Sequence, residues 1–276
     1  MLKGMTPIIQ SISTKDNNFQ LVETLKRNRN KRHVSKSFVV ESVKAISAAL
    51  KYGWRFKAVY FSTTKGLSDW GKNIVEAAKP TSLFELSDDL MKSLSDKEAV
   101  SEMLVVLEMP EDDLSRIKVS NQSIIVIVDR PASPGNLGSL IRSANAFGAS
   151  GVVVVGHAAD IYDLKTIRSS LGSLFALPVV RAESSDLVLD WISHLDFRLP
   201  LIGFSAQAKS QLNDFNQPFP LALVFGNETD GLSKKLKENV DELISIPIAG
   251  VASSLNLSCA ASIALYAVAS RIGRSA

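Results

Sequence analysis

One short run, Ser123-Ile124-Ile125-Val126-Ile127-Val128-Asp129, limits the fold more than any other stretch. An unbroken aliphatic segment has no polar face to turn to water, so it reads as a parallel strand buried on both faces. Parallel strands need crossover connections, and these are usually helices. The residues that follow fit that need. Leu137–Phe147 reads as a helix ended by Gly148, and Val152–Val155 as the next strand. Helices near Tyr162–Ser170 and at Asp186–Leu195 follow, the latter with Trp191 on its buried face. Strands Leu199–Phe204 and Leu221–Phe225, a helix from Ser233, strand Leu243–Ile248 and a last helix to Arg271 complete the pattern. Alternating elements of this kind predict an α/β unit built on a doubly wound parallel sheet.

The residues before it read as a smaller α/β unit. Asn17–Asn28 is helical, with Phe19, Val22 and Leu25 on one face. Strands are expected at Phe38–Glu41, Phe56–Phe61, Ser82–Leu86 and Met103–Leu107. Helices are expected at Ser42–Lys51 (Val43, Ile46 and Leu50 inward), Leu67–Ala78 and Asp88–Ser93. Trp54 and Trp70 read as packing residues rather than base-stacking platforms. Residues 1–16 lack periodicity and read as a loose arm, and 109–122 are acidic and polar, as in a linker. The expected division is a first domain over 1–108, a linker over 109–122 and a second domain over 123–276.

Composition excludes several classes. No apolar run reaches the roughly 18 residues of a membrane span, and the N-terminus has no signal-peptide pattern. The single cysteine, Cys259, permits no internal disulfide and fits a reducing cytoplasm; it reads as a buried small hydrophobe. Three scattered histidines, His33, His157 and His194, have no ligand spacing, so no metal is expected. There is no P-loop, and Gly135-Asn136-Leu137-Gly138 is not a dinucleotide fingerprint. Net charge is +3 overall but +9 over residues 1–60, −5 over 61–120 and −1 over 121–276. Within the basic part, Lys26, Arg27, Arg29, Lys31, Arg32 and Lys36 crowd into eleven residues. Such a run is either a solvated face or a contact for nucleic-acid phosphates. Its place between a helix and a strand favours RNA phosphates, with His33 as one more polar group.

Three stretches then share one design: an apolar strand, a loop rich in Gly, Asn and charge, and a helix. They are Asp129-Arg130-Pro131-Ala132-Ser133-Pro134-Gly135-Asn136-Leu137-Gly138-Ser139-Leu140-Ile141-Arg142, Val224-Phe225-Gly226-Asn227-Glu228-Thr229-Asp230-Gly231-Leu232 and Ile246-Pro247-Ile248-Ala249-Gly250-Val251-Ala252-Ser253-Ser254-Leu255-Asn256. In the third, Pro247 ends the strand and small residues let another molecule approach the backbone. Taken alone, that loop also reads as an ordinary αβ turn with helix caps. In this order, the three stretches resemble the three motifs of the SpoU/TrmH family of RNA ribose 2′-O-methyltransferases, within the SPOUT superfamily.

The resemblance is strong over 123–271 and weaker over 18–108. It implies a parallel sheet whose C-terminal segment is threaded into a deep trefoil knot, an N-terminal RNA-binding module, and a homodimer with the S-adenosylmethionine pocket at its interface. Gly226, Ile246 and Leu255 would offer backbone groups to that cofactor, with Val224, Phe225 and Ile248 as apolar walls. Asn136, Arg142, Glu228, Ser254 and Asn256 would be the polar residues of the reaction. Arg142, six residues after Asn136, is expected near the same helix face. A guanidinium is a poor base, so its expected role is to stabilise the developing alkoxide and fix a phosphate. Glu228 is expected to orient Arg142 or a backbone amide, while Ser254 and Asn256 also suit helix capping. The implied substrate is large-subunit ribosomal RNA ahead of tRNA. A base-nitrogen methylator and a non-catalytic RNA-binding or ribosome-assembly protein with a vestigial pocket remain as alternatives.

Overall fold

The computed structural model describes residues 8–64, 66–95 and 100–272. The chain forms two compact units, 1–111 with 162–168, and 112–161 with 169–276. The first contains β1 (Ile9–Ile12), α1 (Asn17–Arg27), α2 (Arg29–Ser35), β2 (Ser37–Val40), α3 (Val43–Lys51) and β3 (Phe56–Ser62). It continues with α4 (Asp69–Ala78), β4 (Ser82–Leu86), α5 (Asp88–Leu94) and β5 (Met103–Glu108). Its sheet runs β1-β4-β3-β5-β2, with β1, β4 and β3 parallel and β5 antiparallel to both of its neighbours. Phe19, Val22 and Leu25 of α1 are fully buried in a core with Tyr60, Leu86, Met91 and Leu104.

Three sequence expectations change here. Part of the expected loose arm is the edge strand β1; residues 1–7 lie outside the described residues. Only Ile12 of that strand is buried, so its sequence carries no alternation to read. The basic run is itself a helix, α2, started by the Asn28 side chain accepting from the Lys31 amide at 3.0 Å and ended by Lys36 in the left-handed region. In α3, Val43 is 58% exposed and Leu50 half-buried, while Ala45, Ile46 and Ala49 face inward. Trp54 meets Phe38 edge-on at 5.8 Å and Trp70 donates to Ser47 at 3.0 Å, so both pack.

The second unit opens with packed residues in the expected linker: Leu114–Arg116 forms a 3-10 turn and Ile117 is buried. Then come β6 (Ile124–Asp129), α6 (Pro134–Ala146), β7 (Gly151–Val155), α7 (Leu164–Ser170), α8 (Ser173–Ala176), β8 (Val179–Ala182) and α9 (Ser185–Ser193). They are followed by β9 (Leu201–Phe204), the two-residue β10 (Ser210–Gln211), β11 (Leu221–Phe225), α10 (Lys234–Asn239), β12 (Glu242–Ser245) and α11 (Leu257–Ile272). Residues 162–168 group with the first unit, where Tyr162 lies 4.6 Å from Phe38 and Leu164 joins the core.

The second sheet runs β10-β12-β9-β11-β6-β7-β8, and every pairing is parallel. Ile124–Val128 of β6 are all 0% exposed, as the aliphatic run requires. From β6 the chain builds outward through β7 and β8, and the later strands then fill the other side of β6. The order therefore reverses at β6 and β11, and ligands of open α/β sheets bind at the carboxyl ends of strands beside such a reversal. Among the described residues no helix is long and apolar enough to cross a membrane, and no cluster of His, Cys, Asp or Glu could hold a metal ion.

Candidate active site

The loops after β6 and β11 are tied together by groups that the sequence did not single out. Asp129 ends β6 at 1% exposure and accepts from the Ser233 amide at 2.6 Å and from Arg130 Nε at 3.2 Å. Arg130 has φ 51°, a conformation uncommon outside glycine. Asn227 Nδ2 donates to the Arg130 carbonyl at 2.7 Å and thereby holds that turn. The Asn227 side-chain oxygen accepts from the Thr229 and Asp230 amides at 2.8 and 3.2 Å. Asn227 and Gly231 also exchange backbone bonds of 2.9 and 3.0 Å. An Asp at a strand's C-terminal end and an Asn opening a Gly-closed turn were the available signals.

On this frame three of the expected polar residues meet. Asn256 Nδ2 donates to Asn136 Oδ1 at 2.9 Å, and Asn136 Nδ2 donates to Glu228 Oε1 at 3.0 Å. Glu228 Oε2 accepts from the Ala132 amide at 3.1 Å. The first turn of α6, the loop after β11 and the residue before α11 are thus joined in a line. Asn256 also caps α11, its Oδ1 accepting from the Ser258 amide at 2.9 Å, so capping and site placement coexist in one side chain. Partial burial, the largest single influence on Glu228, pushes its carboxyl up. Hydrogen bonds from Asn136 and from the backbone N–H groups of Ala132, Glu228 and Ser133 outweigh it and hold the group below the usual carboxylate range. A carboxylate so stabilised is a weak proton acceptor.

Arg142 does not join them. Six residues at about 3.6 per turn stop a third of a turn short of two turns, so Arg142 stands on a different face of α6 from Asn136. It is exposed and makes no hydrogen bond or ion pair among the described residues. Glu228 therefore engages a backbone amide and Asn136, not Arg142. Ser254 is exposed and, among the described residues, makes no hydrogen bond and so caps no helix.

Beside this line opens a cleft of about 380 Å³ walled by the loops after β9, β11 and β12. Gly226, Ile246, Leu255, Phe225, Ile248, Glu228 and Ser254 line it. Phe225 stacks on Phe204 at 4.7 Å and 14° to form an apolar wall. Val224 does not line it, because its side chain is 0% exposed and packs in the core on the sheet face. Residues 248–255 make no hydrogen bond among the described residues, leaving their backbone groups open. Cys259 is exposed rather than buried, since α11 turns Cys259, Ile263 and Tyr266 outward.

The basic run also separates by position. Arg32 is 3% exposed; its guanidinium donates to the Leu25 and Lys26 carbonyls at 2.8 and 3.2 Å and lies 3.8 Å from Asp163. It closes the C-terminus of α1 and is not a surface contact. Lys26 donates to the Leu94 carbonyl, and Lys36 pairs with Glu111 at 2.8 Å. Arg27 and Lys31 are exposed and Arg29 half-buried. Arg32→Ala is expected to cost about 2–3 kcal/mol by leaving buried carbonyls unpaired, read as a lower urea midpoint.

A model described as the SpoU rRNA Methylase family matches residues 123–266, and one described as the SpoU L30e-like domain matches 16–106. The chain belongs to the SpoU rRNA methylase family. It is 42% identical over 277 residues to the 23S rRNA (uridine(2479)-2'-O)-methyltransferase of Streptomyces viridochromogenes, covering 98% of this chain and 96% of that one. It is 32% identical over 183 residues to the 23S rRNA (guanosine(2553)-2'-O)-methyltransferase RlmP of Bacillus subtilis strain 168, covering 66% and 71%. A crystal structure of the SpoU methyltransferase AviRb from Streptomyces viridochromogenes in complex with AdoMet superposes with a TM-score of 0.88 at 41% identity, covering 93% and 98%. The SpoU match spans the three loops that wall the cleft and the start of α6 that carries Asn136.

Proposed function

We propose that the chain is a 2′-O-methyltransferase that modifies a ribose of 23S-type ribosomal RNA with S-adenosylmethionine. The observation that carries this is the Asn256–Asn136–Glu228 line at the sheet's switch point, beside the cleft. The likeness to a 23S rRNA 2'-O-methyltransferase over 98% of the chain supports the substrate, ahead of tRNA. The cleft fits the cofactor: about 380 Å³, an apolar Phe204–Phe225 wall for an adenine, and open backbone groups at 248–255. When bound, the cofactor supplies an activated methyl group, so the chain's own task is to place a ribose hydroxyl and stabilise its developing charge.

Asn136, Asn256 and Ser254 have short polar arms suited to holding the ribose. Glu228, ionised, fixes Asn136 and the Ala132 amide. Arg142 offers its unengaged guanidinium to the oxygen that loses its proton and to the adjoining phosphate. Arg27 and Lys31 on the first unit, with Arg29, contact RNA phosphates. Arg27→Glu with Lys31→Glu should weaken RNA binding and flatten its salt dependence without changing stability.

Three further features belong to this reading. The outward face of α11 is apolar, with Tyr266 64% and Ile263 41% exposed, and suits pairing with a second copy. Ser143, next to Arg142, bonds Ser262 of α11 at 2.7 Å, and Leu257 and Ala260 of α11 line the cleft, so a homodimer through α11 would lie beside both. The all-parallel order β12-β9-β11-β6, with residues of the 226–232 and 246–255 segments lining one cleft, suits the trefoil knot of this reading. A reducing cytoplasm suits the lone thiol and an RNA substrate. The deciding experiment is transfer of labelled methyl groups to total RNA from a strain lacking the gene, followed by separation by size. Label in large ribosomal RNA is expected. Label in tRNA would overturn the substrate, and no label from folded, cofactor-binding protein would favour a non-catalytic RNA-binding role.

A further inference from the structure

Among the described residues the cleft is lined by one cationic side chain, Lys237 of α10. Lys237 is exposed and makes no ion pair or hydrogen bond among the described residues, unlike its neighbours. Lys234 pairs with Glu238 at 3.8 Å and Lys235 with Asp186 at 2.8 Å. Across the same cleft Gln207 follows β9; its side-chain oxygen accepts from Ser205, while its carboxamide N–H groups have no partner among the described residues. We propose that Lys237, together with the Gln207 carboxamide, receives the carboxylate at the amino-acid end of S-adenosylmethionine. This rests on the cofactor reading above.

The inference follows from which donors are already engaged. A carboxylate leaving water for a partly closed cleft needs charged or strongly oriented donors in exchange. The backbone amides of the two nearest loops are largely engaged within the chain. Those of Ser205, Gln207 and Ala208 go to the Ile244 carbonyl, Ser205 Oγ and the Ser205 carbonyl. Those of Asn227, Thr229, Asp230 and Gly231 close the 227–231 turn. Glu228 and Asp230, the other charged groups of the lining, would repel an anion. Position agrees with charge. The Glu228–Asn136 contact joins the loops after β11 and β6, whereas Gln207 follows β9, one strand further from the proposed reacting end. The open 248–255 backbone is left for the adenosine portion.

Ligands that differ only at this end test the assignment in the full-length protein. Calorimetry should show Lys237→Met weakening S-adenosylmethionine and S-adenosylhomocysteine about tenfold, the scale of one charge-assisted hydrogen bond. Binding of 5′-methylthioadenosine, which lacks the amino-acid end, should stay within about twofold of the unaltered protein, the scale of an uninvolved surface substitution. Lys237→Arg should recover most of the affinity. Equal affinities of the unaltered protein and Lys237→Met for S-adenosylmethionine would overturn the proposal while leaving the cofactor reading intact. An equal loss for 5′-methylthioadenosine would also overturn it, because the residue would then act on the cleft's shape. If the unaltered protein bound none of the three, the cofactor reading itself would fail.

Discussion

Arg142→Ala is expected to lower turnover about a thousandfold, the scale of removing one preorganised group from a developing oxyanion. Cofactor affinity should stay within about twofold and the unfolding midpoint nearly unchanged, because an exposed side chain with no partner among the described residues contributes little to stability. Both halves come from where Arg142 stands. It is absent from the lining of the cleft, so truncation leaves the cofactor's walls intact. It is not paired with Glu228, so its loss leaves no carboxylate uncompensated; Glu228 keeps Asn136 and the Ala132 amide. Arg142→Lys should recover only part of the rate, since an ammonium keeps the charge but not the planar fork that holds a phosphate and an oxygen together. Single-turnover methyl transfer and calorimetry on the same preparation separate the outcomes. Near-normal turnover in Arg142→Ala would remove the arginine from the chemistry. A matching loss of cofactor affinity would make it a binding residue instead.

The sequence was most informative where burial is symmetric and least where tertiary contacts decide. The run Ile124–Val128 announced a strand buried on both faces, and every one of its residues is fully buried. The edge strands β1 and β10 gave no such signal, because their side chains are mostly or wholly exposed. Charge was legible as composition but not as geometry. Arg32 looks like its basic neighbours in the sequence, yet it folds inward onto the carbonyls that end α1. Within the site, residue types and loops could be named in advance. The partners could not: whether Glu228 meets Arg142 or a backbone amide depends on helix phase and loop closure. The holding contacts of Asp129, Arg130 and Asn227 link positions about a hundred apart in the chain, and no local pattern specifies them.

Gly226→Ala should abolish tight cofactor binding, by about a hundredfold or more, and lower the unfolding temperature by about 5–10 °C. The thermal part follows from an overpacking cost of about 2–3 kcal/mol in a unit where each kcal/mol shifts the midpoint by about 2–4 °C. A Cβ at this position would lie 2.1 Å from the Gly231 carbonyl carbon and 2.3 Å from the Leu232 nitrogen. Both are backbone atoms, so no side chain can rotate away. The turn they belong to is pinned by the Asn227–Gly231 exchange and by Asn227 on the Arg130 carbonyl. Relief must therefore move the 226–232 segment, which walls the cleft and carries Glu228. That displacement should loosen the Glu228–Asn136 contact along with the cofactor site, so turnover at saturating cofactor should fall too. Gly250→Ala is the matched control, because a Cβ there meets nothing within 4 Å. It should leave the midpoint unchanged. If it alone weakened binding, the close approach would be to the cofactor rather than to the chain. If Gly226→Ala bound the cofactor normally, the 226–232 loop could not be a wall of the site.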